Sequence, residues 1–119
     1  MARITKANKR KNRANSEARK ERQQVYQTKR WKQLRISKLY DDPLCELCLS
    51  HNVRTPAEDV HHVISFMSTD DKYRRHRLAY DRNNLQSLCR ACHQYQHHQV
   101  GEESTPWGQR QQEQLDRGL

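Results

Sequence analysis

Four cysteines, arranged as Cys45-Glu-Leu-Cys48 and Cys89-Arg-Ala-Cys92, are all the chain has, and this pairing constrains its fold more than any other feature. Two residues between the members of a pair let both sulfurs converge from one turn of backbone, as tetrahedral zinc with four thiolates requires. The competing readings are two disulfides and a redox dithiol. A reducing compartment disfavours the first, and the second needs only one pair. Structural zinc on Cys45, Cys48, Cys89 and Cys92 is therefore expected. Forty residues separate the pairs, more than a zinc-finger gap, so a whole hairpin must lie between them.

The chain has 119 residues, 33% of them hydrophobic, which allows one small domain with tails. A unit spanning residues 40–98 is marginal for an apolar core alone, and structural zinc, contributing on the order of 10 kcal/mol, is expected to decide whether it folds. No apolar run approaches the roughly 18 residues that span a bilayer. The basic start, MARITKANKRKNRANSEARK, is followed by no apolar stretch of the kind a secretory signal has, so a cytoplasmic protein is expected.

Charge is unevenly placed. Residues 1–40 carry 14 Lys and Arg against two Glu, whereas the remainder is net negative within a total of +9. A basic arm before a near-neutral domain suits phosphate contacts added to a folded reader or enzyme, the alternative being a solvated tail without a partner. Residues 1–24 lack the apolar face a membrane surface would need and are too polar to pack, so they are expected to be disordered when free.

From Thr28 as N-cap, KRWKQLRISKLY carries Trp31, Leu34, Ile36 and Leu39 and predicts a short basic helix with an imperfect apolar face, ending before Pro43. DVHHVISF, 59–66, reads as a strand and LQSL, 85–88, as its partner, joined by a long polar connection. CRACHQYQHHQ reads as a helix from about Cys89 to Gln99, ended by Gly101. The tail 100–119 is polar, with room for a helical turn after Pro106. Knuckle, hairpin and helix in this order make a treble-clef arrangement within an α+β fold, with flexible tails.

Five of the seven histidines fall into two groups: His61-His62 in the strand, and His93, His97 and His98 in the last helix. His93 and His97, four apart, share a helix face and could chelate one cation with a strand histidine, leaving positions open for phosphate and water. His98 points about 100° away from His97 and is expected to face solvent. Consecutive strand residues face opposite ways, so His61 and His62 cannot both point at one cation without distortion.

The segments Val60-His61-His62-Val63-Ile64, Asn83-Asn84-Leu85-Gln86-Ser87-Leu88-Cys89 and Cys89-Arg90-Ala91-Cys92-His93 resemble the HNH motif. The chain is most similar, over roughly residues 26–98, to the small HNH endonucleases that phages encode near their DNA-packaging genes, which share a Trp-containing basic helix and an Asp-Pro-Leu-Cys knuckle. It departs from them at His61, where Asp is frequent, and in a longer connection from His62 to Asn84. The resemblance implies a ββα-metal (HNH) domain over residues 25–99 that cuts DNA to 5′-phosphate and 3′-hydroxyl ends. It implies that His61 and His93 bind a catalytic divalent cation (Mg2+, Mn2+, Ni2+ or Zn2+), that His62 is the general base, and that Asn84 locks the hairpin loop. In the colicin-type branch the position of His97 is a further ligand. A monomer is expected, with phage terminase or portal proteins as implied partners. Lys29, Arg30, Lys32, Lys72, Arg74, Arg75 and Arg77 are candidate phosphate contacts. The remaining alternatives are a non-catalytic zinc module that binds nucleic acid and a packaging accessory protein.

Overall fold

The computed structural model describes residues 6–98 and 105–117, with side chains over residues 16–97 and 105–117. The chain runs α1 (Lys6–Tyr26), α2 (Lys29–Asp41), α3 (Glu46–Ser50), β1 (Asp59–His62), α4 (Lys72–Tyr80), a 3-10 turn at Arg82–Asn84, β2 (Leu85–Leu88), α5 (Arg90–His98) and α6 (Pro106–Asp116). β1 and β2 form an antiparallel pair in which Asp59 faces Leu88 and His62 faces Leu85. Thr28 caps α2 as the sequence predicts, its Oγ1 accepting from Trp31 N at 3.2 Å.

Two small buried clusters flank the hairpin. Trp31, Val60 and Leu85 make one, with Leu34, Leu39 and Tyr80 against them; the four cysteines, Val53 and Leu88 make the other. Ile36, expected on the apolar face of α2, is 65% exposed. It lies two residues from Leu34, about 200° around the helix, and so falls off the stripe that three- and four-residue steps define.

The knuckle closes on a left-handed residue. Asn52 has φ 62°, a conformation asparagine adopts at low cost, and this turns the chain so that Val53 N donates to Cys48 O at 3.0 Å and Val53 enters the cysteine cluster.

The structure corrects three further expectations. β1 stops at His62 instead of running to Phe66, because the Asn84 side chain takes over the pairing of Ile64 and Phe66 turns back into the interior. The long connection holds α4, whose N-cap Asp71 accepts from Tyr73 N at 3.0 Å and which buries Ala79. Residues 6–24, expected to be disordered, belong to α1. Its C-terminal end is held by Tyr26, edge-on to Trp31 and Phe66, and by the Glu21–Arg75 ion pair. Residues 1–5 and 99–104, with the expected helix end at Gly101, lie outside the described residues.

The C-terminal tail is likewise not a loose appendage over residues 105–117. Thr105 caps α6, the Trp107 ring stacks on His51 with centroids 4.5 Å apart, and Gln111 Nε2 donates to His51 O. Among the described residues no helix is long and apolar enough to cross a membrane.

Candidate active site

Two clusters of metal-ligand type share α5, Cys92 and His93 being consecutive in its first turn. The four cysteine sulfurs lie within 4.8 Å of one another and are buried, with Cys48 and Cys92 Sγ 3.5 Å apart. Tetrahedral zinc with four thiolates sets its sulfurs about 3.8 Å apart, so the donor set fits zinc. Cys45 Sγ accepts from Cys48 N and Cys89 Sγ from Cys92 N, each at 3.4 Å, so each pair is shaped by its own turn of helix. Burial pushes the Cys45 and Cys92 thiols up. Burial is the largest influence on Cys89 too, but hydrogen bonds from the Arg110 guanidinium, Cys92 and Cys45 together outweigh it and bring that thiol down to about 7. Arg110 Nη1 donates to Cys48 and Cys89 Sγ, both at 3.0 Å, reaching them from α6. A guanidinium here offsets the negative charge that four thiolates leave around a dication. The sequence carries no local sign of this, because Arg110 stands 21 residues from one sulfur and 62 from the other.

From His93 onward along the helix, His61, His93 and His97 converge, their ligand nitrogens within 4.8 Å of one another. His97, the least secure member on sequence, joins the cluster with Nε2 at 2.9 Å from His93 Nε2. His93 Nδ1 donates to Asp59 Oδ2 at 3.0 Å, which in the neutral ring leaves the lone pair on Nε2. Asp59, the first residue of β1, is a carboxylate behind a histidine that sequence reasoning did not single out, and it is the arrangement that orients ligating imidazoles in metal sites. Burial first, then the repulsion that His93, His97 and His62 exert when protonated, holds the His61 imidazole down to about 4, neutral at physiological pH. Three imidazoles so placed fit a divalent cation with open positions. The side chain of His98 lies outside the described residues.

His62 does not join this cluster. As alternation along a strand requires, its ring turns to the other face of β1, stacks on Trp31 at 4.8 Å between centroids, and sets Nε2 2.9 Å from Ala79 O. A carbonyl only accepts, so Nε2 carries the hydrogen and the neutral ring keeps its lone pair on Nδ1. Burial lowers its pKa, so it stays neutral. The ring still lines the same cleft as His61, His93 and His97, a cavity of about 790 Å³.

Asn84 fixes the backbone beyond this strand. Its Oδ1 accepts from Ile64 N at 2.8 Å, and Nδ2 donates to Ile64 O and Leu78 O, each at 2.9 Å. The amide thus joins the end of β1 to the end of α4, where Ala79 holds His62. Asn84→Ala leaves three backbone groups without this partner and is expected to cost about 2 kcal/mol, since an unsatisfied group costs about 1–3 kcal/mol when buried and Ile64 is half exposed. Asn84→Asp is expected to cost as much, because a carboxylate cannot donate. An unchanged urea midpoint in both would remove this role.

None of Lys29, Arg30, Lys32, Lys72, Arg74, Arg75 and Arg77 lines the cleft. Arg75 pairs with Glu21 and Asp70, and Arg30 lies over the Tyr80 ring at 4.5 Å. The cationic residues on the cleft wall are Arg22 of α1 and Arg35 of α2.

Comparison with known proteins agrees with this geometry. Residues 45–99 match the family model of the HNH endonuclease. The fold is similar to that of the HNH endonuclease of the deep-sea thermophilic bacteriophage GVE2, crystallised with manganese ion. The TM-score is 0.60 and the identity 29%, covering 75% of this chain and 91% of the phage enzyme. The curated proteins give no significant match. Sequence family and shared fold agree, and the domain spanning residues 45–99 belongs to the HNH endonucleases, a nuclease set between helices added at either end.

Proposed function

We propose that the chain hydrolyses DNA phosphodiester bonds at the cleft, with His62 as general base, His61, His93 and His97 holding one divalent cation, and the four cysteines holding structural zinc. What carries this reading is the division of the histidines: three imidazole nitrogens gathered on one face of the hairpin, and a fourth imidazole on the other face, its tautomer set by Ala79 O. In the proposed step water attacks phosphorus while its proton passes to His62 Nδ1, and the bond to the 3′ oxygen breaks, that oxygen taking a proton from solvent water, giving 5′-phosphate and 3′-hydroxyl ends. When bound, the cation supplies charge stabilisation at the phosphate and the departing oxygen. Asn84 acts at one remove, by holding the strand end and the α4 end between which His62 is fixed. Manganese in the phage relative supports a cation of this class. The likeness to small phage enzymes encoded near packaging genes extends the proposal to a phage-encoded monomer acting in the host cytoplasm with terminase or portal proteins.

The test is plasmid nicking with added Mg2+, Mn2+ or Ni2+, comparing the native chain with His62→Ala. The native chain is expected to cut, and the variant to lose 10²-fold or more, the usual range for a general base being 10² to 10⁴. Equal cutting by both removes His62 as base. No cutting with any metal leaves a zinc module that binds nucleic acid.

A further inference from the structure

The cleft wall holds two arginines that the proposed chemistry does not use. Arg22 comes from the exposed face of α1 and Arg35 from α2, and both line the cavity with His61, His93 and His97. Most other charged residues around the hairpin are neutralised within the fold: Lys38 by Asp42 and Glu46, Arg75 by Glu21 and Asp70, Arg82 by Asp41, and Arg90 by Glu58 and Asp59. Among the described residues no ion pair involves Arg22 or Arg35. Arg35 donates one amino group to the backbone, Glu58 O at 2.8 Å, which steadies its guanidinium without cancelling its charge. The one carboxylate on the cavity wall, Asp59, already accepts from His93. Two uncancelled guanidiniums beside a cluster built for a cation suit an anion with more than one charged group along it. The sugar-phosphate backbone is such an anion, and a guanidinium fork matches phosphate oxygens better than an ammonium does.

Resting on the nuclease reading above, we propose that Arg22 and Arg35 form a phosphate clamp, contacting DNA phosphates and seating the strand against the histidine cluster. Arg19 and Arg22, three apart on α1, share a face, so the clamp continues along this helix away from the cleft. The task assigned by sequence to the basic residues of the long connection thus passes to the two helices that precede the domain.

The experiment measures binding of the full chain to a short DNA duplex at several salt concentrations, in buffer with its zinc retained and no other divalent cation, so that no cutting intervenes. Each phosphate contact contributes about 0.9 to the slope of log K against log salt. Arg22→Gln/Arg35→Gln is expected to flatten the slope by about 1.8 and to weaken binding at low salt by at least 10-fold. Lys29→Gln/Lys32→Gln, away from the cavity, serves as control and is expected to change the slope less. Zinc content and melting temperature are read alongside. If the double variant does not fold, Arg22→Gln alone, on an exposed residue, is expected to lower the slope by about 0.9. An unchanged slope in a folded variant overturns the clamp even when the native chain cuts plasmid. A flattened slope in a chain that cuts with no metal keeps the clamp and removes the nuclease reading.

Discussion

Stripped of metal by EDTA, the full chain is expected to lose its cooperative melting transition, and Cys89→Ser is expected to do the same without chelator. The cysteines are not attached to a core; together with Val53 and Leu88 they are one of its two halves. Cys45 and Cys48 belong to the knuckle, Cys89 and Cys92 to the start of α5, and the hairpin joins the two. Without a metal this half must hold four buried sulfurs together by contacts too few for a stable fold. Structural zinc contributes on the order of 10 kcal/mol, comparable to or larger than the whole stability of a small domain. Circular dichroism through a thermal ramp, with metal content measured on the same sample, reads the effect. A metal-free sample that melts as before would refute it. Trp107 fluorescence is expected to change with unfolding as well, since Trp107 packs on this cluster.

The second large effect concerns the histidine cluster. His93→Ala removes one of three imidazoles and is expected to abolish measurable Mn2+ binding at that site in isothermal titration of the zinc-loaded protein. Asp59→Ala is expected to weaken it by about 10- to 100-fold, the range found when a carboxylate behind a ligating histidine is lost. The difference follows from position: His93 offers Nε2 to the cluster, whereas Asp59 touches only its Nδ1 and sets which nitrogen carries the hydrogen. Both variants should keep the zinc and the melting transition, because neither His93 nor Asp59 belongs to the four-sulfur donor set or to the buried cluster around it. Unchanged Mn2+ affinity in Asp59→Ala would deny the carboxylate its orienting role, and unchanged affinity in His93→Ala would deny the site itself.

Some parts of this site are written in short stretches of chain and were readable there. Cys-x-x-Cys spacing, the dyad on a strand, two histidines four apart on a helix, and the Thr28 cap all express geometry within one turn or one strand. Even the puzzle of adjacent histidines contained its answer: alternation sends His61 to the cation cluster and His62 to Trp31 and Ala79. α4 was harder to see. Its signals are an Asp71 cap and little else, as its arginines hide the Leu78-Ala79 face, and a polar helix of this length resembles a loop until Ala79 is found buried.

What the sequence alone determined, then, is the chemistry available and its local placement: four thiolates in two turns, a histidine dyad, a helical pair and the asparagine after the connection. Tertiary structure decided which groups stand behind them. Asp59 reaches His93 across 34 positions, Arg110 reaches Cys48 across 62, and Arg22 and Arg35 meet the cleft from helices outside the matched domain. These partners have no spacing rule, because their separations are set by how helices pack on a two-stranded sheet rather than by the repeat of any one element.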